Sequence, residues 1–442
     1  MSSLQGGAGD KGIPSQYIDA LAVLTDQANS QPFEKVAVCI KEDVGKEWSE
    51  VFSDVNQEAI AAGSLAQVHE ATLTEGSKKV ALKLQYPSLR TEMASDFAVF
   101  QQLGAQIQPG GYDLRWLATD IQKFITKELD FTIESNNSET ARLLLAHRKD
   151  VIVPAVEKSL LSPRVLCTEF VPGLERFDGI KVSKEQKGFS KSSLGETVAQ
   201  VFAELMLQHG VVHGDPHAGN VYATEGNKVV VLDHGLHHHL ADADRLHLCH
   251  LVRACILGST GSVQEHAEHF AGALWRLFPL VINPAFAFAV PSSLKDIQAA
   301  HAARLPDDIS LEDVWKTMIS MHESESDVLG ALHSLGYVRG LLNTLDFPEK
   351  RRVMCLGRAA TYGIYHKGLW PGASESDAAK VGLLDRLSLQ ISLMLLRIRV
   401  ELLFLLLMLL SPLVGLYLAL FGSKPQEAAE NEDEKMARAK TV

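Results

Sequence analysis

The stretch that decides the fold is His213-Gly-Asp215-Pro-His217-Ala-Gly219-Asn220, followed closely by Val229-Val-Val-Leu232-Asp233-His234-Gly235. The first run has the spacing H-x-D-x-x-x-x-N. In that pattern a tight loop leaves a strand, presents an aspartate to a hydroxyl, and returns so that an asparagine amide oxygen can ligate a divalent cation. The second run delivers an aspartate from the end of a short buried strand, the place of the aspartate in D-F-G. Asp215 as the group that orients a nucleophile, with Asn220 and Asp233 as magnesium ligands, supplies most of what phosphoryl transfer from ATP requires. A Gly/Pro/Asn turn with incidental polar residues explains one such loop but not three correctly spaced elements.

The missing part is a cation on the phosphates. Val80-Ala-Leu-Lys83 spells the V-A-I-K strand, with Val80, Leu82 and Leu84 on one face and Lys83 on the other. Taken alone, a surface strand lysine reads the same way. Its acidic partner is expected between this strand and the catalytic loop, in Glu128-Leu-Asp130-Phe131-Thr-Ile-Glu134-Ser-Asn-Asn137, where a continuous helix would put Asp130, Glu134 and Asn137 on one face. Glu134 is the preferred partner of Lys83.

Outward from these motifs, the chain reads as strands followed by helices. Pro14 and Pro32 suit helix first turns, Gly45 suits a helix stop, and Phe33, Val36, Ala37, Ile40 and Val44 form an apolar face. Leu65–Leu73 and Lys79–Gln85 flank a Glu75-Gly76-Ser77 turn, and Val165–Phe170 reads as a further strand. Helical pattern is expected from about Asp113 to Arg148 and from Leu194 to Gly210. From Arg245 to about Leu369, helical segments alternate with loops at Pro279, Pro284, Pro306 and Pro348. The order suits two lobes with a cleft between them.

Composition narrows the class. A net charge of −12 with a pI near 5.8 argues against a nucleic-acid binder. Five scattered cysteines give neither a disulfide framework nor a zinc motif and read as buried apolar residues. His234, His237, His238 and His239 lack a Cys or Glu at ligand spacing, so no zinc site follows from them. Leu402–Ser423 carries no charged residue and would be about 33 Å long as a helix, enough to cross a bilayer. Arg386, Arg397 and Arg399 before it would keep the catalytic part on the cytosolic or matrix-like side. Met1–Gly12 resembles neither a secretory signal nor an Arg-rich presequence, so no targeting peptide is visible.

Together, Ala61-Ala62-Gly63-Ser64-Leu-Ala-Gln67-Val-His69, the VALK strand, Glu128-Leu-Asp130-Phe131 with Glu134 and Asn137, HGDPHAGN and LDHG resemble the UbiB/aarF-domain atypical kinases over roughly Pro14–Gly372. The resemblance implies an α+β, two-lobed protein-kinase-like fold. It also implies that the N-terminal helical extension packs over the cleft; with the residue pattern, the expected parts are a disordered 1–12, that extension at 13–56, an ATP-binding lobe at 57–170, a helical lobe at 171–385, a C-terminal apolar transmembrane helix region at 386–423, and a charged tail at 424–442. It implies ATP and Mg2+ as cofactors, with Ala61, Ala62, Gly63, Ser64, Gln67 and Lys83 at the nucleotide and Glu169 at the adenine hinge. Lys83 and Glu134 form the ion pair, and Glu128 and Asp130 are the family's ExD carboxylates. Asp215 is catalytic, and Asn220 and Asp233 bind the metal.

Two departures stand out. The family's Lys-x-Gly-Gln motif is missing from Met1–Gly12, and Gly63 replaces a usual alanine, letting backbone approach phosphate more closely. No Ala-Pro-Glu segment follows Asp233, which favours a lipid or small-molecule acceptor over a peptide. Membrane association, a mitochondrial or plastid location and a link to ubiquinone or lipid metabolism are further expectations of the resemblance. Small-molecule kinases of the aminoglycoside or choline type share H-G-D-x-x-x-x-N, and a nucleotide-binding lipid-associated scaffold with little catalysis is the non-enzymatic alternative.

Overall fold

The computed structural model describes residues 30–89, 126–180, 188–289 and 326–421, with isolated helical positions at 93, 122, 314, 316, 317 and 319–321. The helix expected after Pro14, the loop at Pro306 and the tail at 424–442 lie outside these residues.

The first lobe is an antiparallel sheet in the order β1 (Phe52–Val55), β3 (Ala66–Leu73), β4 (Lys79–Gln85), β6 (Val165–Glu169), with the two-residue β2 (Ala61–Ala62) added to β3. The turn between β3 and β4 places Gly76 and Ser77 at positive φ, 72° and 47°. Strand alternation then sorts the side chains. Val80, Leu82 and Leu84 are fully buried beneath helix α1 (Phe33–Val44), which lays Phe33, Val36, Ala37 and Ile40 onto them. Pro32 is the residue just before that helix rather than in its first turn, and Gly45 ends it in the left-handed conformation. Thus α1 covers the sheet face opposite Lys83. The described part of the N-terminal extension packs behind the sheet, not over the cleft.

Helix α2 (Phe131–Leu144) lies beside the sheet and touches β6. The continuous helix expected through Asp130 is broken there. Asp130 is the N-cap, its carboxylate accepting from the Thr132 N–H at 3.0 Å and from the Thr132 hydroxyl at 2.7 Å. Asp130 therefore does not share a helical face with Glu134 and Asn137.

The second lobe is built on α3 (Lys191–Leu207), which is buried along most of its length. Short strands carry the chemistry: β8 (Val211–His213) pairs with β11 (His237–His239), and β9 (Val221–Thr224) pairs with β10 (Lys228–Val231). Two further two-residue strands, β5 (Val151–Ile152) and β7 (Glu175–Arg176), flank that second pair. Helices α4 (Asp242–Leu257), α5 (Thr260–Ala271), α6 (Val328–Thr344) and α7 (Glu349–Ile364) close the lobe. Pro279 sits in the first turn of a short helix and Pro284 begins a 3-10 turn, so neither marks an open loop, whereas Pro348 precedes α7. All five cysteines are free and buried.

The C-terminal helix α8 (Leu383–Phe421) corrects an expectation. Among the described residues no helix is long and apolar enough to cross a membrane. The region assigned to a membrane segment begins instead as a packed helix: Leu396 and Val400 enter the core of the helical lobe, and Glu401 pairs with Lys350. The other side of α8 leaves Leu384, Leu387, Ile391, Met394 and Leu402 exposed. The stretch 410–421 continues the helix without described side chains.

Two glycines test this packing in opposite directions. A methyl group at Gly363 would meet the Leu207 carbonyl oxygen at 2.3 Å, where α7 crosses α3, whereas one at Gly336 on α6 meets nothing. Gly363→Ala is expected to cost about 1–3 kcal/mol in urea denaturation, and Gly336→Ala to gain about 0.5–1 kcal/mol. Equal effects would contradict the helix crossing.

Candidate active site

Lys83 rises from the middle of β4 on the cleft face, where its neighbour across the ladder is Val68. Its ammonium donates to both oxygens of Glu134, at 2.9 and 2.8 Å, and to Asp233 Oδ2 at 3.2 Å. Phe131 lies under it, ring centroid 5.1 Å from Nζ. Three segments distant in sequence thus meet on one nitrogen. The helix that carries Glu134 is tied at its start, where Gln85 Nε2 donates to the Leu129 carbonyl at 3.0 Å, and further along, where Asn137 Nδ2 donates to the His234 carbonyl at 2.9 Å.

The catalytic loop closes from the other lobe. Asn220 Nδ2 donates to the Asp215 carbonyl at 3.0 Å, so its amide oxygen is the atom that could ligate a cation. The Leu232 N–H donates to the Asn220 carbonyl at 3.0 Å, locking the loop to the segment that delivers Asp233. His213 Nε2 reaches the Asp233 carbonyl at 2.5 Å, and Asp233 Oδ1 accepts from the Gly235 N–H at 2.8 Å. Asp215 Oδ1 is buried without a hydrogen-bond partner, while the Tyr337 hydroxyl acts on the same carboxylate. Tyr337 lies on α6, far along the chain and outside any motif, so no local signal points to it.

The charge balance is the main feature of the site. Burial alone would lower the Lys83 ammonium, but Asp233 and Glu134 overrule it and hold it above its ordinary value. Burial would lift Asp233 as well, yet Lys83 and the Gly235 N–H keep it well below the usual carboxylate range. Glu128 and Glu134 go the other way. Burial, reinforced for Glu128 by Asp233 and Asp215, pushes each up to about 7, against the pull of Lys83. Burial raises Asp215 too. One ammonium cannot neutralise this many carboxylates. The surplus is hard oxygen ligand of the kind that takes Mg2+, so the residues present fit that ion. His213 and His234, lowered to about 4 and about 3 by burial, are neutral.

The ABC1 atypical kinase-like domain matches residues 23–267. The chain belongs to that family. Its relatives include AarF domain-containing protein kinase 1 of Xenopus tropicalis, 31% identical over 279 residues, covering 61% of this chain and 53% of that protein. The mouse protein of the same name is 32% identical over 285 residues, covering 63% and 54%. Probable serine/threonine-protein kinase abkD of Dictyostelium discoideum is 33% identical over 282 residues, covering 61% and 40%. The match therefore spans about half of these relatives' lengths, 53% and 54% in the first two. Among solved structures, the Mycobacterium tuberculosis protein Rv3197, determined as a complex with erythromycin, aligns with TM-score 0.52 at 19% identity over 77% of this chain and 89% of that one. That likeness shows the fold.

The structure brings together Lys83, Glu134, Glu128, Asp215, Asn220 and Asp233. It does not gather all the nucleotide residues. Gln67 is fully buried on the α1 face, its amide bonded to the Gln31 backbone at 2.7 and 2.9 Å and to His69 Nε2 at 2.8 Å. Strand parity puts it with Ala71 and Leu73, away from Lys83, so it fastens the extension instead of touching nucleotide. Asp130 is likewise a helix cap. Ala61, Ala62, Gly63 and Ser64 form β2 and the bend after it, where the Gly63 N–H donates to the Ala66 carbonyl at 2.9 Å. Glu169 ends β6 with an exposed side chain, and its N–H already donates to the Ala155 carbonyl at 2.8 Å.

Glu128 yields a pH prediction. Its carboxyl sits at about 7 in the folded chain against an ordinary 4.5, so between those values the folded state holds a proton that the unfolded state has lost. Its contribution to stability therefore falls as pH rises through that window and is fully unfavourable above about 7. Without magnesium, Glu128→Gln is expected to match wild type at pH 5 and to exceed it at pH 8 by about 1–2 kcal/mol in urea denaturation, discounted for partial exposure. Equal stability at both pH values would contradict the crowding of carboxylates around Lys83.

Proposed function

We propose that the chain binds ATP with Mg2+ in this crevice and works as a phosphotransferase or ATPase of the ABC1/AarF type. The observation that carries the reading is the convergence of Lys83, Glu134 and Asp233, with the loop of Asp215 and Asn220 tied to the Asp233 segment by the Leu232 N–H on the Asn220 carbonyl. Lys83 would meet the phosphates while Glu134 orients it, and Asn220 and Asp233 would hold the magnesium, with Glu128 close to Asp233. The cation neutralises charge on the phosphates and supplies no proton or electron. Asp215 takes the proton of the attacking hydroxyl or water. The new O–P bond forms at the γ-phosphorus as the bond to the β,γ-bridging oxygen breaks, and ADP leaves with that electron pair.

A lipid or small molecule is the acceptor this reading favours, since no peptide-docking Ala-Pro-Glu segment is present in the sequence. The exposed apolar side of α8 supports work against a membrane surface. The family resemblance adds ubiquinone or lipid metabolism and a mitochondrial or plastid setting. A small-molecule kinase of the aminoglycoside or choline type is disfavoured by the Glu128-Leu-Asp130 segment, whose Glu128 faces Asp233 and Asp215.

Magnesium-dependent ATP turnover, with and without liposomes, tests this. Asp215→Asn is expected to lower turnover by about 100-fold or more while leaving ATP binding intact. Gly63 has room for a methyl, whose nearest contact would be the Ala66 carbonyl oxygen at 3.8 Å. Gly63→Ala should therefore fold normally and lower turnover several-fold by holding the backbone off the phosphates. An unchanged or higher rate refutes that role for Gly63, and absence of nucleotide binding in wild type refutes the enzyme reading.

A further inference from the structure

His237 opens β11 directly across the ladder from His213 of β8, and His234 stands just before that strand, next to Asp233. The three rings make a nearly equilateral triangle, with centroids 5.2, 5.4 and 5.2 Å apart. One nitrogen from each lies within 4.8 Å of the others. His234 Nδ1 and His237 Nε2 are 3.0 Å apart, while His234 Nε2 and His237 Nδ1 are buried with no hydrogen-bond partner. The Val231 carbonyl acts on the His234 ring without reaching Nε2 in hydrogen-bond geometry. His234 itself is 1% exposed. These unpartnered nitrogens lie on the far side of each ring, so the two rings turn the facing Nδ1 and Nε2, not these atoms, toward a shared point beside His213.

We propose that His213, His234 and His237 bind a transition-metal dication, zinc by fit, in a three-histidine site whose fourth position is open to water. A tetrahedral zinc with Zn–N of about 2.0–2.1 Å sets its ligand nitrogens roughly 3.3 Å apart and the ring centroids roughly 5 Å apart. The 3.0 Å pair and the 5.2–5.4 Å triangle already approach those spacings, so small ring rotations complete the set. His213 brings the outer-shell contact that such ligands use. Its Nε2–H donates to the Asp233 carbonyl, which puts the lone pair on Nδ1, and Nδ1 is engaged only by the Asp215 N–H at 3.3 Å. Magnesium does not compete, because imidazoles suit zinc whereas carboxylates and an amide oxygen suit magnesium. His237 is half-buried and gives the ion a way in. The zinc clips the catalytic loop to the segment carrying Asp233, in the position where D-F-G sequences place a packing phenylalanine.

The test uses metal alone and needs no nucleotide, so its failure is separable from failure of ATP binding. The full chain, stripped with chelator, is loaded with Zn2+, passed through gel filtration and assayed for metal; Co2+ is then substituted and its visible spectrum recorded. One retained equivalent and the intense absorption of tetrahedral cobalt are expected. His237→Phe and His237→Gln should each weaken retention at least tenfold. A His266→Ala/His269→Ala variant should retain it fully, because it alters the surface group in which His247 and His269 stack at 3.8 Å. No retained metal in wild type, retention unaffected in folded His237 variants, or loss on changing the surface histidines overturns the proposal. If both His237 variants fail to fold, the wild-type cobalt spectrum decides: tetrahedral absorption sustains the site and its absence removes it.

Discussion

The ammonium of Lys83 sits among Glu128, Glu134, Asp215 and Asp233, and it contacts Glu134 and Asp233 directly. Each carboxylate reaches that point from a different element: Glu128 from the segment before α2, Glu134 from α2, Asp215 from the loop after β8, and Asp233 from the end of β10. A buried ion pair of this kind contributes little net stability, since desolvation offsets much of the attraction. What it does is fix which elements must meet. The surplus negative charge is unfavourable without a second cation, which is why we read the arrangement as a binding site rather than as a stabilising contact.

The frame around that point is apolar and directional. Val80, Leu82 and Leu84 anchor β4 to α1 on one face so that Lys83 can only project from the other. Gln67 and His69 extend the same logic to polar groups. They lie on the α1 face, where Gln67 bonds the Gln31 backbone and the His69 ring packs edge-on to Phe33 with centroids 5.0 Å apart. In the other lobe, α3 supplies the buried wall against which the catalytic loop and its strands are set. The family's N-terminal extension, in its described part, thus acts on the sheet from behind.

Much of this was legible because the decisive information is local. The offset from Asp215 to Asn220, the apolar run before Asp233 and the alternation in VALK each encode their own geometry, and the strand ends at Leu73, Lys79 and Gln85 fall where the sequence puts them. Readings failed where a nearby competitor decided the outcome. Thr132 offers Asp130 a capping bond that ends the helix there. The parity of β3 turns Gln67 to the face of Ala71, which the motif spelling does not reveal. Tyr337 and the His213–His237 pairing depend on elements folding back from a distance, so spacing within the histidine run could not supply the third ring. In α8, the charge-free length of Leu402–Ser423 suggested a bilayer span, but among the described residues no helix is long and apolar enough for one, and Leu396 and Val400 just before it pack into the helical lobe.

Calorimetric titration of ATP with and without magnesium, on wild type and on Asn220→Ala and Asp233→Asn, addresses the shared crevice most directly. The account predicts that magnesium tightens ATP binding in wild type and that the gain disappears in both variants, because both ligands hold the same ion. Magnesium-assisted binding that survives intact in either variant would contradict it.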